Sequence, residues 1–155
     1  FSQHLIESAR AHQGADNIMY LFGDIVKVLD NQLTTIKADV IKITMNEALA
    51  YFDNDTAFAL LKRLKQLCED TDVKLDMFIT GIPSDELKWN FYNTPERKEK
   101  YLQNESEGSN GGIGKWWKKE EIETICNKLD LSCEFKNQDP RLSNYRIDAH
   151  IRCKK

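Results

Sequence analysis

The chain has 155 residues, with 22 Lys+Arg against 25 Asp+Glu and a formal net charge of -3. That is one domain's length, and the near-balance of charge argues against an obligate nucleic-acid binder, whose footprint is usually a basic patch and a high pI. Hydrophobic residues at 41% and aromatics at 10% exclude global disorder, and no apolar run approaches the roughly 18 residues of a membrane span.

Phe1-Ser2-Gln3-His4-Leu5-Ile6-Glu7 has no basic n-region and no long apolar stretch, so it does not read as a secretory signal. With no initiator Met, the chain is expected to begin inside something larger or after processing. His4 to His12 reads as a helix, with Leu5, Ile6 and Ala9 at helical spacing, Ser2 as N-cap and Gly14 as terminator. Asn17 to Phe22 is a continuous apolar run closed by Gly23-Asp24, the pattern of a strand buried on both faces. Val26 to Ala38 is a short amphipathic connection. Ala38 to Met45 is a second strand, rich in β-branched residues.

Thr56 to Glu69 carries the clearest helical stripe, Ala57, Leu60, Leu61, Leu64 and Leu67-Cys68, with Asp53 or Asp55 as its cap. Lys74 to Thr80 is a third strand, stopped by Gly81-Ile82-Pro83. A helix begins at Ser84-Asp85-Glu86 with Leu87 and Phe91 apolar. The charged stretch Asn93 to Asn110 and the glycines from Gly108 to Gly114 read as an irregular insertion or lid, placed around 93–117. Lys118 to Leu129 is a helix with Ile122, Ile125, Cys126 and Leu129 on one face, and Ser132–Lys136 and Arg146–Arg152 are two closing strands.

Alternating strands and helices predict an α/β fold with a mostly parallel sheet, helices on both faces and an antiparallel C-terminal strand pair. Ligands of such sheets bind beyond the carboxyl ends of the strands. Gly23-Asp24-Ile25 follows the first strand, Met45-Asn46-Glu47 closes the second, and Gly81-Ile82-Pro83 follows the third. An acid that accepts from an amine, beside a branched apolar residue that packs on a flat ring, suits an adenine. Gly-Asp is equally an ordinary turn signal.

Several constellations have a plain structural reading beside a functional one. Cys68, Cys126, Cys133 and Cys153 form no C-x-x-C pair, and with no export signal they read as reduced, buried thiols of a cytoplasmic protein. Trp116-Trp117 among Lys115, Lys118 and Lys119 can stack on single-stranded nucleic acid, or pack back on the domain as a hinge, which is favoured. Asp53 and Asp55 near Glu47 can hold a hard cation, or cap a helix, which is favoured, so no metal is expected. Arg146 and Asp148 alternate with Tyr145 and Ile147 and read as a solvated strand face, although an arginine at the ligand edge can bind an anion.

Taken together, Phe1–Arg10, Asn17–Asp24, Ala38–Tyr51, Leu75–Pro83, Cys133–Phe135 and Tyr145–Ile151 resemble, in order and spacing, a class I S-adenosylmethionine-dependent methyltransferase. They look like the segment after that family's second strand, then its third, fourth, fifth, sixth and seventh strands. The resemblance implies a Rossmann-like sheet in the order three, two, one, four, five, seven, six. It implies S-adenosylmethionine as cofactor, with Asp24 on the adenine amino group, Ile25 on the ring and Phe1 or Ser2 near the ribose or adenine. Met45 and Asn46 would line the edge where the methionine part meets the substrate, and Glu47 is the candidate general base.

The acceptor implied is a small molecule, with Trp89, Tyr92, Tyr101 and Trp116 as an aromatic wall; membrane and nucleic acid are not expected partners. The family's first strand and glycine-rich loop have no counterpart here, and Gly108–Gly114 follows a charged segment rather than a strand. The chain therefore reads as a single, N-terminally incomplete domain whose strand near 17–22 lacks a neighbour. Such a strand is expected to pair with a missing N-terminal portion, rearrange, or swap into a homo-oligomer. The second reading is a non-catalytic interaction module. A nucleotide-dependent oxidoreductase is disfavoured because no G-x-G-x-x-G follows a strand.

Overall fold

The computed structural model describes residues 2–15, 17–32, 39–109 and 112–153, and the chain falls into two compact units, Phe1–Lys37 and Ala38–Lys155. In the first unit, α1 (Gln3–Gln13) starts where the Ser2 hydroxyl accepts from the Leu5 amide, as expected of a Ser N-cap. Gly14, in an extended conformation, ends it. The second helix, α2 (Ile25–Gln32), starts on Asp24, whose Oδ1 accepts from the amides of Val26 at 3.0 Å and Lys27 at 3.2 Å.

The run expected as a strand, Asn17–Phe22, forms none. A strand buried on both faces needs neighbours on both edges to satisfy its amides and carbonyls, and no ladder reaches this segment among the described residues. Local contacts hold it instead: Arg10 Nη2 donates to the Tyr20 carbonyl at 2.6 Å, and the Tyr20 hydroxyl donates to the Gln13 carbonyl at 3.2 Å. Ile18, Met19, Leu21 and Phe22 are left exposed.

The second unit is a four-stranded sheet under two helices. Its strands are β1 (Val40–Asn46), β2 (Lys74–Pro83), β3 (Leu131–Asn137) and β4 (Arg146–Cys153), in the order β1-β2-β4-β3. β1 and β2 run parallel, while β4 is antiparallel to both of its neighbours. This is the four, five, seven, six portion of the order that the resemblance implies. A parallel pair needs a crossover, and α3 (Asn54–Thr71) supplies it. Asp53 caps α3 through its Oδ1 on the Thr56 amide at 2.7 Å, and Asp72 ends it in the left-handed conformation. The two short antiparallel strands need only a turn between them.

The core follows the two periodicities. Leu60, Leu61, Leu64 and Leu67 of α3, and Ile122, Ile125 and Cys126 of α6 (Lys119–Lys128), are buried against Met77, Ile79, Ile147, Ala149 and Ile151 of the sheet. The pattern predicts helices on both faces, but within this unit α3 and α6 pack against each other on one face. The other face presents Lys42, Thr44, Glu134 and Phe78, the last 42% exposed.

Two further segments differ from expectation. β2 does not stop at Gly81 but continues through Ile82 and Pro83 across a bulge. The charged stretch read as irregular contains a helix, α5 (Pro95–Ser106), and a short helix, α4 (Lys88–Phe91), ends just before it. No residue of α5 is fully buried. Local terms start and brace it, namely the Thr94 cap, Pro at its start, and the i,i+4 pairs Tyr101–Glu105 and Gln103–Glu107, and the Tyr101 ring packs on Trp89 and Tyr92.

Glu121, at the start of α6, joins the start of α3 to the segment before α6. Its Oε1 accepts from Lys115 Nζ at 2.9 Å and Asn54 Nδ2 at 3.2 Å, and its Oε2 accepts from the Lys118 amide at 3.0 Å. Burial alone would raise this carboxyl, but the Lys115, Lys118 and Asn54 donors outweigh it and hold it below its ordinary value of 4.5. A carboxyl lowered in the folded state adds stability above its unfolded pKa, and that stability is lost as the pH falls through the folded value. The urea midpoint should therefore decline from about pH 5 downward, and Glu121→Gln should make that acid decline shallower. An identical slope in the variant would remove Glu121 from the network.

Candidate functional site at the strand ends

The carboxyl ends of β1 and β2 are where an α/β sheet presents its ligand side, and here the backbone leaves regular geometry. Glu47, directly after β1, has φ +53, uncommon for a residue with a side chain and a marker of functional or tightly constrained sites. Its amide still donates to the Thr80 carbonyl at 2.9 Å, so the ladder holds it while its side chain turns. Opposite it, Gly81 has φ +71, and a Cβ there would stand 2.7 Å from Glu47 Cγ. Only glycine lets β2 pass this close to Glu47.

The bulge between Ile79 and Ile82 takes the Gly81 amide out of the ladder with β4. Asp148 meets it instead: its Oδ1 accepts from the Gly81 amide at 3.1 Å and from Gln138 Nε2 at 2.7 Å. Asp148 is half-buried, which corrects the solvated-face reading of this residue. The strand-alternation pattern gave no sign of a bulge that needs a carboxylate. Arg146, at the start of β4, forms an ion pair with Glu47, and its guanidinium carbon lies 5.2 Å from the centre of the Tyr145 ring. The arginine side chain is 22% exposed and the glutamate 56%.

Tyr145 links this pair to a cluster of aromatic rings. Tyr92 is central, with ring centres 4.6 Å from Tyr101, 4.9 Å from Phe91 and 5.6 Å from Trp116. Trp89 meets Tyr101 edge-on at 5.6 Å, and Tyr145 meets Phe91 at 4.9 Å. Trp89, Tyr92, Tyr101 and Trp116 thus form one cluster, to which the structure adds Phe91 and Tyr145. Burial pushes the Tyr92 phenol above its ordinary pKa. Burial alone would lower the Lys88 ammonium beside the cluster, but hydrogen bonds to Asp85 at 2.8 Å and Tyr101 at 3.1 Å outweigh it and raise it.

The segment before α6 straps this region down. Trp117 is fully buried, and its Nε1 donates to the Leu49 carbonyl at 3.0 Å. Its amide donates to the Pro83 carbonyl at 2.8 Å, and its carbonyl accepts from the Asp85 amide at 2.9 Å. The Lys115 amide donates to the Ala50 carbonyl at 2.7 Å. A Cβ on Gly114 would stand 2.3 Å from that same carbonyl oxygen. The glycine at this position therefore permits close packing.

The other expected site residues are placed as follows. Asn46 ends β1, with its Oδ1 accepting from the Thr80 hydroxyl, while Met45 is buried on the helix-covered side. Asp53 is a cap, and Asp55 lies exposed in the first turn of α3. No group of three or more acidic, histidine or cysteine side chains with metal-holding geometry occurs among the described residues. In the first unit, Ser2 and Asp24 are the helix caps already described, and Ile25, at the first position of α2, is 37% exposed. Phe1 lies outside the described residues.

No protein-family model matches the chain, and no curated protein matches it. Among solved structures it is similar to the crystal structure of magnesium protoporphyrin IX methyltransferase from Synechocystis PCC 6803 with bound SAH. The TM-score is 0.53 at 13% sequence identity, over 96% of this chain and 57% of that one. The fold is a methyltransferase-like Rossmann sheet. The chain spans little more than half the length of that neighbour. No helix among the described residues is long and apolar enough to cross a membrane.

Gly81 and Gly108 separate two effects. Both have positive φ, but a Cβ on Gly108 meets nothing within 4 Å. Each Ala substitution should cost about 1–3 kcal/mol for the backbone, and Gly81→Ala should cost more because it collides with Glu47. Equal losses by urea unfolding would show that the close approach is not a constraint.

Proposed function

We propose that the chain takes part in S-adenosylmethionine-dependent methyl transfer to a small-molecule acceptor. The observation that carries this reading is the strand order β1-β2-β4-β3 with a strained acidic residue at the end of β1. The fold likeness to a methyltransferase crystallised with SAH supports it.

Asp24 and Ile25 fit an adenine-type group by their chemistry. Asp24 uses Oδ1 to accept both helix amides, which orients the carboxylate, and an exocyclic amino group needs one acceptor oxygen. Ile25 adds an exposed apolar surface for the ring. Phe1 and Ser2 are assigned to the ribose or adenine side, and Met45 and Asn46 to the methionine end. When bound, the cofactor supplies an electrophilic methyl group. The chain's own residues hold the acceptor in line, because positioning supplies most of the acceleration in such a displacement. Trp89, Tyr92 and Trp116 hold a flat or apolar acceptor, and Glu47 takes the proton from the attacking atom. Arg146 releases Glu47 as the acceptor enters and keeps the guanidinium on Tyr145. The same segment around 93–117 acts as the cover of the acceptor site.

The second reading, an interaction module without catalysis, draws on the Glu47–Arg146 pair, which already occupies the carboxylate.

Calorimetric titration of S-adenosylhomocysteine tests the proposal. Saturable binding is expected, weakened about ten- to hundredfold by Asp24→Ala, the loss of one charge-assisted hydrogen bond. Absence of binding, both to this chain and to one that also carries a strand and glycine-rich loop before Phe1, would favour the module.

A further inference from the structure

The Arg146 guanidinium has one edge in use and one edge free. Its Nη1 donates to Glu47 Oε1. Its Nε–H is buried and meets no acceptor among the described residues. Nη2, on the same side of the guanidinium as Nε–H, makes no hydrogen bond among them either. Together Nε–H and Nη2 form the side-on fork that takes both oxygens of a carboxylate. A buried N–H without an acceptor is costly and calls for a reason. The side chain as a whole keeps 22% of its surface exposed, so a solute can reach the guanidinium.

The fork also stands against aromatic surface. The guanidinium carbon lies 5.2 Å from the centre of the Tyr145 ring, and that ring lies 4.9 Å from Phe91 and 5.9 Å from Trp116. Two more cations sit on the same cluster. The Arg97 guanidinium is 5.6 Å from the Phe91 ring centre and the Lys98 ammonium 5.9 Å from that of Trp89. Neither forms an ion pair among the described residues.

We propose that the free edge of Arg146 holds the carboxylate of an aromatic acid whose ring packs on Tyr145 and Trp116. The binding site stands without the cofactor; calling its occupant the acceptor rests on the methyl-transfer reading above. Two carboxylates on one guanidinium repel each other, and the bidentate one is held more strongly. The incoming acid therefore displaces Glu47, which is 56% exposed and turns to water. One ion pair replaces another, and the freed Glu47 carboxylate becomes available as a base. A neutral ring has no such lever, so the site selects for the anion. A phosphate fits the same fork, but a dianion adds a further negative charge beside Glu47, which favours the carboxylate.

NMR titration of the full nitrogen-15-labelled chain with benzoate tests this through the Arg146 Nε–H and Trp116 indole N–H signals. Both should shift together and saturate with benzoate, and neither should respond to benzamide, its neutral isostere, at the same concentrations. Glu47→Gln removes the competing carboxylate and should tighten benzoate about tenfold. Arg146→Lys keeps the charge but loses the fork and should weaken it about tenfold. Equal binding of benzamide, tighter binding of phenyl phosphate, benzoate affinity unchanged or weakened by Glu47→Gln, or no response at Arg146 would each overturn the proposal. Binding of S-adenosylhomocysteine without any benzoate response would remove the aromatic-acid site and leave methyl transfer standing. The reverse pattern would support the site and remove methyl transfer.

Discussion

The indole of Trp117 is the contact on which the second unit's ligand edge depends. It is a large, fully buried ring with one donor, and that donor finds the Leu49 carbonyl in the turn after β1. A buried indole N–H without a partner would be costly, so the ring can occupy this position only with the 49–51 turn in place. The Trp117 backbone meanwhile closes on Pro83 and Asp85 at the end of β2. One residue thus ties the exits of both parallel strands to the start of α6, and Lys115 reinforces it with its ammonium 3.8 Å from the centre of the same ring.

With the strand exits fixed, unusual geometry can persist there. Glu47 sits at positive φ, Gly81 passes within reach of it, and the amide freed by the bulge is met by Asp148. Each feature would relax in a loose loop; strained conformations persist where the surroundings over-determine them. Bulges near sheet ends re-aim side chains, and this one sets Arg146 against Glu47. The result is a charged pair joined to the aromatic cluster through the Arg146 guanidinium on the Tyr145 ring.

The sequence showed most of this frame wherever local pattern and tertiary structure agree. The α3 stripe, its Asp53 cap and the Ser2 cap are local signals, and all appear as read. The Asn17–Phe22 run has the pattern of a strand but forms none, because an apolar run specifies a strand only where a partner exists. In α5, charge density hides a helix that carries no apolar stripe and docks through the single ring of Tyr101. Gly81 and Pro83 looked like a stop, although a bulge lets a strand carry both. The convergence of Trp89, Tyr92, Tyr101 and Trp116 was legible as a group of aromatics near one lid, but Phe91 and Tyr145 were not. Tyr145 comes from the far end of the chain and joins only when β4 inserts between β2 and β3.

Amide hydrogen exchange on a Trp117→Phe variant isolates the indole hydrogen bond from the packing of the ring. The substitution keeps a ring and removes the one donor to Leu49. Faster exchange is expected at the amides of Glu47, Phe52, Lys115 and residue 117, with the β3–β4 ladder as protected as before. Unchanged protection at the strand exits, or a uniform loss across the whole sheet, would contradict the anchoring role of Trp117.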